Sequence, residues 1–482
     1  MKNKFNLLIL IILVSLFSNS CNDLDDTLNV PSDLKVQNFI WKGLNLYYLW
    51  QADVPDLADN RFANQSQLND FLRTKSTPSI LFQDLLNKPI SKFPRSEAID
   101  RFSVLVNDYT YLENLFQGIT KNNGVDFGLR YKSGTSGPIF GWVRYIIPNS
   151  DASTKDIQRG TIFYGINGTA LTVDNYNSLL NNDTYTLNLA DYDGGNITPN
   201  GKSITLTKTE LTENPVFKNQ ILNVGNKKVA YLVYNAFTSN YNNQLNEAFG
   251  VIKNAAATHL VLDLRYNSGG SVQTATYLAS LITGQFTNQL FAKKQWNNKV
   301  QSYYEENNPS SLVENFTDKI ENGANLNTLN FNKVYILTTK STASASELVI
   351  NGLKPYIDVV QIGDVTTGKN VGSITLYDSP TFGKEGRNAS HKYAMQPLVL
   401  KTANKVGFGD YQDGLEPTFL LKENLGNLNE LGNENEPLLS QALSIIAGGG
   451  RMSQPNFKEF SEFEDSKSIQ PFGNDMYLDS FK

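Results

Sequence analysis

Two residues of this chain, a serine and a lysine 25 positions apart, could together carry out nucleophilic chemistry. Ser344 lies in the run Ser-Thr-Ala-Ser-Ala-Ser-Glu at positions 341–347, and Lys369 follows Thr-Thr-Gly. A serine hydroxyl is a weak nucleophile that needs an adjacent base. A lysine can be that base when it is uncharged, and apolar surroundings favour the uncharged form. In a fold that brings the two side chains together, Ser344 could attack a carbonyl carbon while Lys369 takes its proton, which is the chemistry of acyl transfer.

The elements around Ser344 predict that its hydroxyl lies at the start of a helix. A strand is expected over Lys333–Thr338 and a helix over Ala345–Leu353. The first N–H groups of a helix have no intrahelical partner and favour an anion. The backbone N–H of Ala345 is therefore a candidate donor to the oxyanion of an acyl-transfer intermediate, and the small neighbouring side chains would let a substrate backbone approach.

A glycine turn supplies a second candidate donor. The buried strand expected at 259–264 leads into Arg-Tyr-Asn-Ser-Gly-Gly at 265–270. Glycine allows a substrate backbone to come close, and each oxyanion donor contributes about 2.7–4 kcal/mol to catalysis. Asp263 and Arg265 are interpreted as a structural charge pair beside the turn.

The serine loop, the lysine distance and the turn Asp-Leu-Arg-x-Asn-x-Gly-Gly together resemble the carboxy-terminal processing (tail-specific) protease family. The resemblance implies a serine endopeptidase with a Ser344–Lys369 dyad, acting without a cofactor. Its substrates would be unstructured polypeptides, or polypeptides captured by their C-terminal ends. The resemblance also favours Gly269 as the second oxyanion donor, beside Ala345.

Two supporting residues follow from the same resemblance. Glu347 matches the glutamate that follows the family's serine loop, where it would orient the loop or simply lie on the helix. Ser373 stands four residues after the lysine, where many relatives have a glutamine that orients the base.

Other residues compete for the two main roles. Ser341 and Ser346 are rival nucleophiles on composition alone, and the family frame favours Ser344. Lys384 is a rival base, but it lies 40 positions after Ser344 and no buried strand precedes it. The expected strand at 359–362 comes shortly before Lys369, as a strand does in the family.

The chain has two histidines, His259 and His391, through which a histidine-based triad would have to form. His259 opens a strand at the end away from the glycine turn, and His391 lies in a polar loop. Two other functions stay open: a catalytically inactive peptide-binding or scaffold protein on the same fold, and a hydrolase of small esters or amides. The departure at Ser373 motivates the first of these.

The predicted fold class is multidomain α+β. A small helical N-terminal domain precedes a PDZ-like β-rich domain and a crotonase-like α/β protease core, both named by resemblance. In the N-terminal domain, a helix is expected at 96–106. In the β-rich domain, Asn167-Gly168 is a strong hairpin signal. A PDZ domain binds an extended peptide by strand addition, and the alternative is a β-rich spacer without peptide affinity. The expected boundaries are 1–21 signal, 22–33 tether, 34–110 helical domain, 111–213 PDZ-like domain, 214–448 protease core and 449–482 a loose polar tail.

The first 21 residues have the pattern of a targeting segment. Lys2 and Lys4 precede an apolar run at 5–17, and the only cysteine, Cys21, follows small and polar residues. This resembles a lipoprotein signal with lipidation at Cys21, which implies attachment to the outer membrane in the cell envelope, on the periplasmic or the surface face. The alternative is a simple secretory signal. The net charge of −5 and the lack of a basic stripe argue against nucleic acid as a partner.

Overall fold

A computed structural model describes residues 30–450, 458–473 and 475–479. The predicted signal segment and Cys21 lie outside these ranges. Within them, no helix combines the length and apolar character needed to cross a membrane.

Ten α-helices lie in the described part of the chain. They are α1 (Lys35–Tyr47), α2 (Gln65–Arg73), α3 (Pro78–Asp84), α4 (Tyr109–Phe116), α5 (Tyr176–Leu180), α6 (Asn242–Asn254), α7 (Val272–Thr283), α8 (Asn298–Asn307), α9 (Ala345–Leu353) and α10 (Pro437–Ala447).

The strands follow the same chain order. They are β1 (Val104–Val106), β2 (Ile119–Asn122), β3 (Val125–Tyr131), β4 (Ile139–Ile146), β5 (Ile162–Ile166), β6 (Thr169–Ala170), β7 (Thr184–Tyr192), β8 (Ile197–Thr207), β9 (Thr209–Thr212), β10 (Val216–Val224), β11 (Lys227–Tyr234), β12 (His259–Asp263), β13 (Gly270–Ser271), β14 (Leu290–Trp296), β15 (Val313–Asn315), β16 (Lys333–Thr338), β17 (Asp358–Gly363), β18 (Val371–Ser373), β19 (Leu376–Tyr377), β20 (Ala394–Gln396), β21 (Leu398–Ala403), β22 (Phe419–Leu420), β23 (Glu462–Asp465) and β24 (Met476–Tyr477).

The N-terminal part is helical, and the molecule is a mixed α+β protein of several domains, as predicted. Helix α1 forms because Phe39, Ile40 and Leu44 recur on one face and are buried together. The predicted helix at 96–106 is wrong. Asp100 instead accepts hydrogen bonds from the backbone N–H groups of the second and third residues after it, which favours a turn before β1.

Strands β3, β4, β5, β7 and β8 form an antiparallel sheet of the β-rich part, with β6 beside β5. The hairpin predicted at Asn167-Gly168 is confirmed, since β5 pairs with β6 and the two turn residues have φ of 51° and 79°. Positive φ at both positions is the signature of a type I′ turn.

The core is built on a second sheet in the order β10-β11-β12-β16-β17-β22, in which β11 to β22 run parallel. Parallel strands are buried on both faces, and every residue of β16 after Lys333 is buried accordingly. The serine loop follows β16 and the glycine turn follows β12. The carboxyl ends of these neighbouring strands therefore bring the two predicted oxyanion donors to one edge.

The segment after residue 449 was expected to be a loose tail, and in its described part this is wrong. Strand β23 joins the edge of the β-rich sheet beside β3. Strand β24 lies between β13 and β18 in a further sheet of the core. Phe460 and Met476 are buried, because the scattered apolar residues of this segment insert between domains rather than forming a core of their own.

Candidate active site

Ser344 lies at the N-terminus of α9 in an unusual backbone conformation. Its φ of 63° and ψ of −114° place it outside the regions that side-chain-bearing residues prefer, at a cost of about 1–3 kcal/mol. The residue is fully buried, and its Oγ faces the backbone N–H of Glu347 in a capping box without making a hydrogen bond of normal geometry to any described residue. A strained residue with an unengaged hydroxyl at a helix start is suited to act as a nucleophile.

The two rival serines are engaged in other contacts. Ser341 Oγ donates to Asp465 Oδ2 at 2.7 Å and accepts from Arg144 Nη2 at 2.7 Å. Ser346 Oγ donates to the carbonyl oxygen of Asn267 at 3.1 Å. Their hydrogen bonds connect the loop to its surroundings, which favours Ser344 among the three.

Glu347 joins the serine loop to the lysine loop. Its Oε2 accepts from the backbone N–H of Ser344 at 2.7 Å and from that of Lys369 at 2.8 Å, and its Oε1 accepts from Gly368 N–H at 2.7 Å and from Thr366 Oγ1 at 2.5 Å. Burial raises the pKa of the Glu347 carboxyl, and these hydrogen bonds oppose the increase. One fully buried carboxylate therefore fixes the spacing of the two loops.

Lys369 lies on the loop after β17 and is 1 % exposed. Its Nζ donates to Asp475 Oδ1 at 2.8 Å and lies 4.8 Å from the ring centroid of Phe102. The rival Lys384 is 66 % exposed, with its Nζ 3.7 Å from Glu113. Burial therefore favours Lys369 over Lys384 as the base, although its Nζ is not hydrogen-bonded to Ser344 Oγ in this conformation.

The N-terminal part supports the lysine loop from the other side. Arg101 Nη2 donates to the carbonyl oxygen of Gly368 at 2.6 Å and to that of Gln412 at 3.0 Å. A Cβ at Gly368 would lie 2.2 Å from the same Gln412 oxygen, so glycine is required for this close approach.

Ser373 lies in β18 within reach of the lysine's partner. Its Oγ is 2.6 Å from Gln396 Oε1 and 3.2 Å from Asp475 Oδ1. The side chain of Gln396, in β20, therefore lies beside Ser373, the position at which many relatives have a glutamine.

The glycine turn approaches Ser344 closely. A Cβ at Gly269 would lie 2.6 Å from the Cβ of Ser344 and 2.3 Å from the carbonyl oxygen of Asp475, so a side chain there would be excluded. The N–H of Gly269 donates to Asn267 Oδ1 at 2.9 Å, whereas the N–H of Gly270 donates to the Asp475 carbonyl at 2.6 Å. In this conformation Gly270 presents its N–H to a peptide carbonyl, and the role of Gly269 stays a prediction.

Neither histidine has a contact to the serine or lysine loop among its described hydrogen bonds. His391 Nε2 lies 2.9 Å from Asp378 Oδ2, and His259 Nδ1 lies 2.9 Å from the Thr258 hydroxyl. Desolvation lowers the pKa of His259. His259 also opens β12, at the end opposite the glycine turn.

Asp263 and Arg265 belong to a buried charge cluster. Arg265 is bonded to Asp263, Glu436 and Glu423 and is 1 % exposed. Burial alone would raise the pKa of Glu423, but the adjacent Arg159 and Arg265 outweigh it and lower the value to about 2. The cluster fixes the strand end that precedes the glycine turn.

Sequence reasoning missed the residues that reach the site from distant parts of the chain. They are Arg101 and Phe102 of the N-terminal part, Arg144 of β4, and Asp465 and Asp475 of the C-terminal segment. No spacing rule links these positions to Ser344. The scattered aromatic residues at 449–482 could have indicated that this segment is buried, but not which residues it contacts.

A cavity of about 390 Å³ opens between the β-rich part and the glycine turn. It is lined at one end by Val125 and Phe127 of β3 and at the other by Gly269, Gly270 and Asp475. A cavity that extends from a β-strand to the glycine turn is suited to an extended peptide.

Comparison with known proteins finds matches to two models of one peptidase family. The profile of Peptidase family S41 matches residues 228–380, and that of the Peptidase S41 N-terminal domain matches residues 35–104. The first range contains the glycine turn, Ser344 and Lys369, and the second includes Arg101 and Phe102.

Individual relatives agree with these matches. A carboxyl-terminal-processing protease of Picosynechococcus sp. is 25 % identical over 170 residues, 35 % of this chain and 36 % of the relative. The chloroplastic carboxyl-terminal-processing peptidase 2 of Arabidopsis thaliana is 27 % identical over 256 residues, 51 % of this chain and 45 % of the relative. The chain thus spans less than half the length of these relatives.

One solved structure is similar over most of both chains. It is a crystal structure of a protein assigned to the S41 proteases from Bacteroides fragilis NCTC 9343, with 27 % identity and a TM-score of 0.62. The match covers 85 % of this chain and 97 % of that protein.

Proposed function

We propose, since this chain carries both the catalytic and the N-terminal domains of peptidase family S41, that it is a serine endopeptidase with a Ser344–Lys369 dyad. The observation that supports the dyad most directly is Glu347, whose Oε2 accepts from the backbone N–H groups of both residues. A positioned nucleophile and a positioned base on two loops joined by one buried carboxylate are the requirements of nucleophilic catalysis.

The reaction would proceed through an acyl-enzyme. Ser344 Oγ attacks the peptide carbonyl carbon while the uncharged Lys369 amine accepts the hydroxyl proton. The N–H groups of Ala345 and of the glycine turn, by Gly269 or Gly270, stabilise the oxyanion. The resulting lysine ammonium protonates the leaving amine, and water then hydrolyses the ester with Lys369 again acting as base.

The β-rich part would capture the substrate as a PDZ-like domain. Its antiparallel sheet, the pairing of the short strand β23 with β3 and the adjoining cavity support this assignment. Strand addition uses backbone hydrogen bonds and therefore requires an unfolded polypeptide, preferably a free C-terminal end. The alternating strands and helices at 227–363 support a crotonase-like core.

The location belongs to the same proposal. Lipidation at Cys21 would attach the enzyme to the outer membrane, and the expected substrates are then polypeptides of the cell envelope. Labelling with a radioactive fatty acid in a bacterial host tests this, because a Cys21→Ser chain should remain unlabelled.

Cleavage of casein by the chain lacking residues 1–21 tests the activity, with Ser344→Ala and Lys369→Ala beside it. We expect cutting by the parent chain and loss in both variants. A matched control is Lys384→Ala, which removes the rival lysine and should leave the rate unchanged. Casein cutting that survives in Ser344→Ala would refute the assignment of the nucleophile.

A serine-directed acylating probe gives a second readout that does not depend on the choice of substrate. Labelling should appear at Ser344 and require Lys369, and mass spectrometry would locate it. Labelling at Ser341 or Ser346 instead would overturn the proposed dyad.

A further inference from the structure

We infer that the C-terminal segment, described at residues 458–473 and 475–479, is an intramolecular ligand of the substrate cleft that keeps the peptidase inactive until it is displaced. The inference rests on the proposed function of Ser344 and Lys369. It also indicates how a substrate polypeptide lies in the cleft.

The first part of the segment binds to the β-rich domain by strand addition. Strand β23 pairs antiparallel with β3, with Glu462 opposite Arg130 and Asp465 opposite Gly128. Asp465 Oδ2 also accepts from Arg144 at 2.9 Å and lies 2.7 Å from the hydroxyl of Ser341. The segment thus occupies a sheet edge of the domain that would capture peptides, and it contacts the serine loop directly.

The second part lies at the catalytic centre as a strand between two others. Strand β24 runs parallel to β13, with Met476 opposite Gly270, and Tyr477 pairs in parallel with Ser373 of β18. The N–H of Leu478 donates to the Ser373 carbonyl at 3.1 Å. These are the backbone contacts that a bound peptide makes when it adds a strand.

The carbonyl of Asp475 occupies the position expected of a substrate carbonyl. It accepts from the N–H of Gly270 at 2.6 Å. A Cβ on Gly269 would lie 2.3 Å from this oxygen and 2.6 Å from the Cβ of Ser344, so the oxygen lies close to Ser344. A substrate carbonyl that approached Ser344 would have to displace this group.

The side chain of Asp475 opposes the reaction. Its Oδ1 lies 2.8 Å from Lys369 Nζ in a site where the two side chains are 7 % and 1 % exposed. While Lys369 Nζ is bound to Asp475, it makes no hydrogen bond to the Ser344 hydroxyl. The segment therefore both fills the cleft and engages the base.

The apolar side chains of the segment fix it in place. Met476 is fully buried, and the ring of Tyr477 lies 4.2 Å from that of Phe116. The same two rings line the 390 Å³ cavity on one side and a second cavity of about 1120 Å³ on the other. The segment thus separates two parts of what would otherwise be one continuous groove, long enough for an extended polypeptide.

The occupant is the chain's own segment, and the ligand class that replaces it is an extended polypeptide. The ion pair with Lys369 indicates that an acidic side chain is accommodated beside the base. Peptides that carry aspartate at the position of Asp475 should therefore act as inhibitors, whereas neutral peptides should act as substrates.

Two variants of the chain lacking residues 1–21 test the inference. Asp475→Asn removes the charge with little change in shape, and a chain ending at residue 457 removes the segment. Cleavage of casein and of a fluorogenic peptide should rise about tenfold or more, because loss of the charged hydrogen bond to Lys369 weakens the binding of the segment in the cleft by about that factor. Asp358→Asn is the matched control, since its exposed carboxylate pairs with Lys333 at the far end of the sheet, and it should leave the rate unchanged.

A synthetic peptide of residues 458–482 tests binding independently of turnover. Added to the shortened chain, it should inhibit cleavage, and it should bind the shortened Ser344→Ala chain in a fluorescence anisotropy titration. Asp475→Asn in the peptide should weaken the inhibition. If the shortened chain does not fold, the Asp475→Asn full chain still supplies the rate comparison.

The outcomes separate the inference from the proposed function. An unchanged rate in Asp475→Asn, together with no binding of the peptide, would overturn the inference. Peptide binding without cleavage by any chain would support the occupied cleft and refute the peptidase. Loss of residues 476–482 from the parent chain, seen by mass spectrometry and absent in Ser344→Ala, would mean that water hydrolyses the Asp475–Met476 bond. The segment would then be a substrate instead of an inhibitor.

Discussion

The serine loop and the lysine loop are both buried and share Glu347, yet their reactive groups differ. Ser344 Oγ has no hydrogen-bond partner in the described part of the chain, and its backbone is strained. Lys369 Nζ is bonded to Asp475, and its loop is supported by Arg101 of the N-terminal part. The proposed nucleophile therefore makes no side-chain hydrogen bond, whereas the proposed base is engaged by another segment of the same chain.

If the C-terminal segment controls the proposed peptidase, this difference places the control at Lys369. A serine hydroxyl stays weakly nucleophilic until a base is available, so engaging the base suffices to suppress the reaction. Four substitutions test this difference between the two loops.

The largest effect is expected from Glu347→Gln, because it affects both loops. The amide NH₂ cannot accept from the backbone N–H groups that the carboxylate binds, so buried donors lose partners at a cost of about 3 kcal/mol in the free energy of unfolding. Cleavage should fall at least a hundredfold, since small misplacements of reacting groups cost about that much. Urea unfolding and kcat/KM measure the two effects, and wild-type rates in this variant would show that the loops are positioned independently.

A smaller effect is expected from Asp465, which supports the serine loop through Ser341. Burial alone would raise the pKa of this carboxyl, but Arg144 and hydrogen bonds outweigh it and lower the value to about 2. A lowered carboxyl pKa stabilises the folded state above its unfolded value near 3.8, and the contribution is lost as the pH falls towards 2. The contribution is about 2 kcal/mol at pH 5.

Urea unfolding of the parent and of Asp465→Asn at pH 5 and at pH 2.5 measures this contribution. The gap between the two chains should shrink at the lower pH. A gap of equal size at both values would mean that the aspartate charge is unimportant for this contact.

Arg101→Ala should affect the lysine loop alone. It removes the donor to the carbonyls of Gly368 and Gln412, which lowers the free energy of unfolding by about 1.5 kcal/mol. We expect kcat/KM to fall about tenfold through kcat, since the base loses its position while the peptide groove is unchanged. Arg95→Ala is a matched control, because its contact to the same loop is a long one of 3.4 Å at the surface.

The smallest effect is expected from the backbone of the serine loop. Glycine adopts positive φ without strain, so Ser344→Gly should raise the free energy of unfolding by about 1 kcal/mol over Ser344→Ala while both variants stay inactive. Chemical denaturation of the two variants measures the difference. Equal stabilities would show that the loop relaxes without the serine side chain.

Some parts of the site could be predicted from the sequence because short stretches of neighbouring residues determine them. Helix α9 begins and ends at the predicted residues, and β16 has the predicted bounds. The hairpin at Asn167-Gly168 followed from turn chemistry alone. In each case the determining residues are neighbours in the chain.

The remaining parts depend on contacts between distant positions. Asp475 follows Lys369 by 106 positions, and Arg144 precedes Ser341 by 197, so no periodicity or spacing connects them. The helix predicted at 96–106 failed because the Asp100 side chain binds nearby backbone N–H groups. The burial of the C-terminal segment depends on grooves that other domains provide.

The position of Asp475, 106 residues after Lys369, has a genetic consequence. A nonsense mutation between codons 450 and 475 would leave every residue of the proposed dyad and oxyanion site intact, while removing the segment that we infer to fill the cleft. Such an allele would be expected to raise proteolysis in the cell and to be dominant over the wild type, whereas truncations within peptidase domains ordinarily cause recessive loss of activity.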